Sequence, residues 1–178
     1  MTTQGFGPYH SDDAKTLAKH LGIPADIMRS DVAARDPEAF QKRLLEGRPQ
    51  ILLHRSSPSY GHYFLIHRLP SGAIEVFDSQ ATGGETLDEL LMGDQDNGYN
   101  GPAGWLGDAV SKAARSQNLR VEYNRQPSQS RVSESCLLHV LSRALVPEVS
   151  AGAFVRKADR FFDKYHAALQ KEESRHAR

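Results

Sequence analysis

The chain has 178 residues, and its 22 Lys and Arg are balanced by 22 Asp and Glu, giving a formal net charge of zero. That length suits one domain around one core, and the neutral balance argues against a broad electrostatic footprint for nucleic acid. One cysteine excludes an internal disulfide, no apolar run reaches the length of a membrane span, and the opening MTTQGFGPYHSDD has no signal-peptide core. The expectation is a cytoplasmic or nuclear protein that does not enter a membrane.

The first 47 residues read as helical. Ser11 is placed to cap a helix with Ala14, Leu17, Ala18 and Leu21 at helical spacing, and Gly22 and Pro24 end it. Asp36 and Pro37 open a short helix carrying Phe40, Leu44 and Leu45, which Gly47 stops. A β-rich section follows. Residues 50–54 are apolar, 60–68 are aromatic and β-branched, Leu69-Pro70-Ser71-Gly72 forms a turn, and 73–78 return as a strand. Residues 86–92 predict a short helix and 94–104 a loop dense in breakers. Residues 105–117 predict an amphipathic helix on Leu106, Val110, Ala113 and Ala114, and 119–123 a strand. After a polar loop over 125–133, residues 135–145 form a helix expected to bury Leu137, Leu138, Leu141 and Leu145. A last helix over 151–171 sets Phe154, Val155, Ala158, Phe161, Phe162 and Tyr165 on one face, ahead of a frayed tail. The sum is one α+β domain with a helical part over 1–47, a core over 48–146 and a C-terminal helix over 150–172. Its sheet is expected to be small, mostly antiparallel and flanked by helices.

The chemistry centres on Cys136. It falls in the first turn of a helix, where unpaired amides and the helix dipole lower a thiol's pKa and can also stabilise an oxyanion. The hairpin supplies partners. A three-residue turn at 70–72 is expected to set His62 opposite Asp78, and a four-residue turn to set His62 opposite Ser79 with Asp78 diagonal to it. Either register lets the carboxylate fix the imidazole. Gln129, seven residues before Cys136, offers a side-chain amide to an oxyanion; Gln126 competes for that role, and the spacing favours Gln129.

Each residue also has a plainer reading. A lone cysteine before leucines is commonly a small buried hydrophobe, a histidine in an apolar strand is commonly core, and Asp78 can simply end a strand. Together they favour a thiol nucleophile. His139 lies three residues after Cys136 on the same helix and rivals His62, but reads as a packing or hydrogen-bonding residue. No metal is expected: there is no second cysteine, and His10, His54 and His67 lack ligand spacing. Asp94 and Asp96 hold only a fragment of a calcium-loop pattern. Tyr63 and Trp105 are candidate substrate contacts, with Trp105 alternatively anchoring the glycine-rich loop before it.

Gly61-His62-Tyr63, then Val76-Phe77-Asp78-Ser79, then Gln129 ahead of Ser135-Cys136 resemble the adenovirus-protease/SUMO-protease superfamily of cysteine peptidases. The likeness covers roughly residues 50–146, and its order of His, acid, Gln and Cys is the reverse of the papain order. The resemblance implies Cys136 as nucleophile, His62 as general base, Asp78 as its orienting acid, and an oxyanion hole from Gln129 and Cys136. It also implies a small sheet with the nucleophile at the N-terminus of a central helix. No cofactor is expected, and the partner is a protein or peptide substrate: a viral precursor or a ubiquitin-like conjugate. Two departures stand out. Tyr63 replaces the usual Trp, and Leu137 replaces the usual Gly, its side chain either crowding the thiol or packing into the core. Yop-type effector acetyltransferases share the residue order, and a catalytically inactive binding relative is the third reading.

Overall fold

The computed structural model describes residues 11–55, 61–81, 99–128 and 136–158, with only the backbone given for residues 11–13. The expected helix over 86–92, residues 94–98 of the breaker-rich loop, Gln129, the Ser11 cap and the part of the last helix bearing Phe161, Phe162 and Tyr165 fall outside these.

Among the described residues five strands form one sheet in sequence order: β1 (Asp26–Arg29), β2 (Gln50–Arg55), β3 (Gly61–Arg68), β4 (Ile74–Asp78) and β5 (Val121–Tyr123). The α+β class holds, with helices on both faces. The sheet is mixed rather than mostly antiparallel: β2–β3 and β3–β4 are antiparallel, whereas β1–β2 and β4–β5 are parallel. Parallel neighbours need a crossover. The helices α2 (Ser30–Ala33) and α3 (Pro37–Leu45) lie between β1 and β2, and α4 (Trp105–Ser116) lies between β4 and β5.

The N-terminal region is therefore not all helix. After α1 (Ser11–His20) the chain turns at Gly22, whose φ of 68° suits the residue after a helix end, and β1 follows. Asp26-Ile27-Met28-Arg29 is too short to show a strand period. It becomes a strand because it pairs with Gln50–Leu53. Leu21, at helical spacing with the buried Ala14 and Ala18, is 45% exposed. The start of α3 follows the sequence reading: Asp36 Oδ1 accepts from the Ala39 N–H at 2.9 Å, and Pro37 takes the first turn, where its missing N–H costs nothing.

Both sheet faces are covered. Ile27, Ile51, Leu53, Tyr63, Leu65 and Phe77 pack against α1, helix α5 (Cys136–Leu145) and helix α6 over 151–158. Leu52, Phe64, Ile66, Ile74 and Val76 pack against α3 and α4. The central strand β3 consequently carries an unbroken apolar run, as strands buried on both faces do. In α5 the buried side is Leu137, His139, Val140, Leu141 and Arg143, while Leu145 is 50% exposed, against expectation. Among the described residues no helix is long and apolar enough to cross a membrane.

Candidate active site

β2 ends, β3 begins and β4 ends at the same edge of the sheet, and α5 starts there. The hairpin register differs from the expected one. Phe64, not His62, lies opposite Asp78. Leu69 and Ala73 bond across the turn, the Leu69 N–H donating to the Ala73 carbonyl at 2.8 Å, so residues 70–72 form the loop and every rung shifts by two residues from the count. His62 and Asp78 become diagonal neighbours on one face, a spacing that long side chains span. They meet: His62 Nε2 and Asp78 Oδ1 are 2.5 Å apart.

The other nitrogen of the ring, Nδ1, is left for the Cys136 thiol, to which His62 is also hydrogen-bonded. Past Asp78, β4 no longer pairs with β3, and there the Tyr63 N–H bonds the Cys136 sulfur, joined by the Leu137 N–H from the first turn of α5. Burial by itself would pull the His62 pKa down. The hydrogen bonds and charges of Asp78 and Cys136 outweigh it and lift the imidazole from 6.5 to about 10. Burial likewise pushes the Cys136 thiol up, but the His62 imidazole and the two backbone N–H groups hold it below its ordinary value. Both shifts favour thiolate and imidazolium side by side. As the first residue of α5, Cys136 also has a backbone N–H with no partner inside the helix.

Gly61 explains why a glycine precedes the histidine. A Cβ there would stand 2.8 Å from Leu53 Cδ1 and 2.9 Å from the His54 carbonyl oxygen, so only glycine allows β3 to close on β2 at this rung. Asp78 is held equally closely. Its Oδ1 accepts from the Gln80 N–H at 2.9 Å, and its own main chain is bracketed by Asn124.

The structure places the other candidate residues as follows. Tyr63 is 2% exposed, with its ring in the core, and its backbone N–H is bonded to the Cys136 sulfur. Trp105 anchors the loop before it: Nε1 donates to the Asn100 carbonyl at 2.8 Å, and the indole packs edge-on against Phe40 at 5.7 Å. Leu137 is 1% exposed and packs into the core, which settles where its side chain goes. His139 is buried, its Nδ1 2.8 Å from Ser128 Oγ. Gln126 is exposed, with its carbonyl accepting from Asn124 Nδ2 at 3.1 Å. Among the described residues no group of three His, Cys, Asp or Glu side chains is arranged to hold a metal ion.

Sequence reasoning missed Asn124 and Asn100. Asn100 brackets the Arg55 main chain, accepting its N–H at 2.7 Å and donating to its carbonyl at 2.8 Å. Both asparagines end a strand's ladder with a side-chain amide in place of another strand, and only a fold places them there. No family model matches the chain, and no curated protein matches it either.

Proposed function

We propose that the chain is a cysteine peptidase or isopeptidase that cleaves a peptide bond in a protein substrate through a Cys136 thioester. One observation carries this reading: His62 is bonded at once to the Asp78 carboxylate and to the Cys136 thiol. A thiolate already paired with an imidazolium needs no base for its attack. The sulfur adds to the carbonyl carbon, and the developing oxyanion finds the Cys136 N–H at the helix start, with Gln129 as second donor by the resemblance. The imidazolium then gives its proton to the leaving nitrogen, the C–N bond breaks, and a thioester and a free amine result. Neutral His62 next takes a proton from water as its oxygen adds to the thioester carbonyl; the C–S bond breaks, the acid leaves and ionises in solvent, and the thiolate–imidazolium pair is restored. Asp78 holds the ring at Nε2 throughout and stabilises its charged form. The resemblance supplies the substrate class: a viral precursor or a ubiquitin-like conjugate.

The test is electrophilic trapping. Ubiquitin-like and Gly-Gly peptide probes that capture thiols should label the protein and fail on Cys136→Ala. Absence of labelling, combined with Cys136-dependent transfer of acetyl from acetyl-CoA to a protein, would replace hydrolysis by acyl transfer.

A further inference from the structure

Beyond the three reacting side chains, a short segment fastens the acid to the helix that carries the thiol. Asn124 follows the last residue of β5 and is 7% exposed. Its Oδ1 accepts from the Asp78 N–H at 2.9 Å, and its Nδ2 donates to the Asp78 carbonyl at 2.6 Å. The two bonds face opposite ways, so they fix the amide's orientation as well as the end of β4. Nδ2 also donates to the Gln126 carbonyl at 3.1 Å, which folds the segment back on itself. Four residues on, the Ser128 N–H donates to the Ser79 carbonyl at 2.9 Å. The Ser128 hydroxyl, 1% exposed with its residue, then bonds His139 Nδ1 at 2.8 Å. His139 lies one turn below Cys136 on α5.

These contacts close a ring: Cys136 to His62, His62 to Asp78, Asp78 through Asn124 and Ser128 to His139, and His139 back along one helical turn to Cys136. We propose that Asn124, Ser128 and His139 are positioning residues, forming a strap that sets the distance between the Asp78–His62 pair and the Cys136 sulfur. The inference rests on the reading of Cys136 as nucleophile, but its chemistry is that of the ring itself. Asp78 is the last residue of β4, and its carboxylate reaches His62 only diagonally. A strand end held by one ladder side alone would let that carboxylate wander. Asn124 supplies the missing side. The Ser128–His139 bond ties the same segment to α5, so the strand end and the helix start move together. Preorganisation of this kind matters because a displacement of about 1 Å can cost on the order of a hundred-fold in rate.

The test reads the thiol without any substrate. The rate of Cys136 alkylation by iodoacetamide against pH follows the thiolate, and it is measured on the full chain beside kcat and KM for a cleaved probe. Asn124→Ala and Ser128→Ala should move the acid limb of the alkylation profile upward by about one pH unit. They should lower kcat by roughly ten- to a hundred-fold with KM nearly constant. His139→Asn keeps a polar atom near the position of Nδ1 and should hold the wild-type profile, whereas His139→Leu should behave as Ser128→Ala does. If Asn124→Ala does not fold, as judged by circular dichroism, Ser128→Ala carries the same reading, since it removes one oxygen atom. An unshifted profile in the folded variants overturns the proposal, as does a shift that His139→Asn shares with His139→Leu. If the wild-type chain cleaves no probe, the peptidase reading fails while the alkylation profiles still decide the strap.

Discussion

The β3–β4 hairpin carries two histidine–carboxylate pairs, and helix α5 touches both. At one end, His62 and Asp78 meet Cys136 in the helix's first turn. At the other, His67 Nε2 lies 2.6 Å from Glu75 Oε2, and Arg143 near the helix's end grips the same carboxylate, Nε at 2.8 Å and a terminal nitrogen at 3.1 Å. The residue types match, but their surroundings differ. The His62 and Asp78 side chains are 23% and 11% exposed, while those of His67, Glu75 and Arg143 are 2%, 2% and 0%. His67 lies directly opposite Glu75, on the face that packs against α5, and His62 is diagonal to Asp78, at the strand end. The buried pair has a permanent cation as third member, and the remaining Arg143 nitrogen is used up on the Val146 carbonyl at 2.7 Å. That arrangement can only fasten. The less buried pair has a titratable thiol as its third member, on a residue that is itself only partly buried. An imidazole beside a carboxylate is thus no active site by itself; its third partner and its access to solvent decide the chemistry.

The sharpest way to separate the two ends is to remove each third partner. Cys136→Ala should abolish probe labelling and turnover and leave the melting temperature within a few degrees (about 1 kcal/mol or less). Asp78→Asn keeps the shape but cannot stabilise the imidazolium, and should lower kcat/KM by about a hundred- to ten-thousand-fold. At the other end the signature inverts. Arg143→Met strands the Glu75 carboxylate in the core and should cost roughly 3–5 kcal/mol in a urea titration, with kcat of the folded fraction near wild type. If Arg143→Met lowers kcat by as much as Asp78→Asn, the two ends are not separable and the comparison fails.

The ends also respond to pH in opposite directions. His62 is raised to about 10, so its charged pairing stabilises the fold fully below about 6.5 and is lost as pH climbs through about 10. Glu75 is held below its usual 4.5, against burial, by the hydrogen bonds of His67 and Arg143 and by their charges. Its contribution is present above that value and disappears as pH falls through the lowered one. Activity should therefore rise on an acid limb belonging to the coupled thiol–imidazole pair, hold a plateau, and fall near pH 10. Unfolding on acidification should draw on Glu75. A Glu75→Gln variant leaves the buried Arg143 guanidinium without its counter-charge, at a cost of roughly 3–5 kcal/mol, and should show a flatter dependence of the urea midpoint on acid pH, with the activity profile unmoved. A shifted activity profile would mean that the buried end reaches the thiol.

Much of the Cys136 end was legible in the sequence, and little of the Arg143 end. Residue types and chain order pointed to His62, Asp78 and Cys136, because a helix start after a polar loop and a short hairpin are local signals. The observed register lies two residues from the expected one, yet the pairing holds because a diagonal neighbour on the same face is within reach. β1 was invisible because four residues with one fully buried side chain show no period, and its strand state comes from Gln50–Leu53 beside it. Glu75 and Arg143 read as ordinary charges at strand and helix positions. Only their proximity in space, across 68 residues of chain, makes them partners. Asn124 was silent for the same reason: its side chain finishes a ladder that the fold alone defines.

The smallest expected effect comes from one added methyl group. In Gly61→Ala the new Cβ meets Leu53 Cδ1 at 2.8 Å and the His54 carbonyl at 2.9 Å. Leu53 can turn aside, but the carbonyl belongs to the β2 ladder. Nor can β2 retreat freely, since Asn100 holds the Arg55 main chain from both its N–H and its carbonyl. The strain therefore falls on the start of β3, one residue from His62. Overpacking of this kind costs about 1–3 kcal/mol, and a shift of a few tenths of an ångström at His62 should lower kcat by about ten-fold. Gly152→Ala is the matched control. Its Cβ would meet only the end of the Arg156 side chain at 3.5 Å, in a helix, so it should stabilise by roughly 0.5–1 kcal/mol with no change in kcat. Because Gly61 lies at the reactive edge and far along β3 from His67, the Glu75-dependent acid slope should remain as in the wild type. A Gly61→Ala chain that keeps full kcat would show that β3 can shift at its first rung without moving the imidazole, and that the fit of strand to strand there serves stability alone.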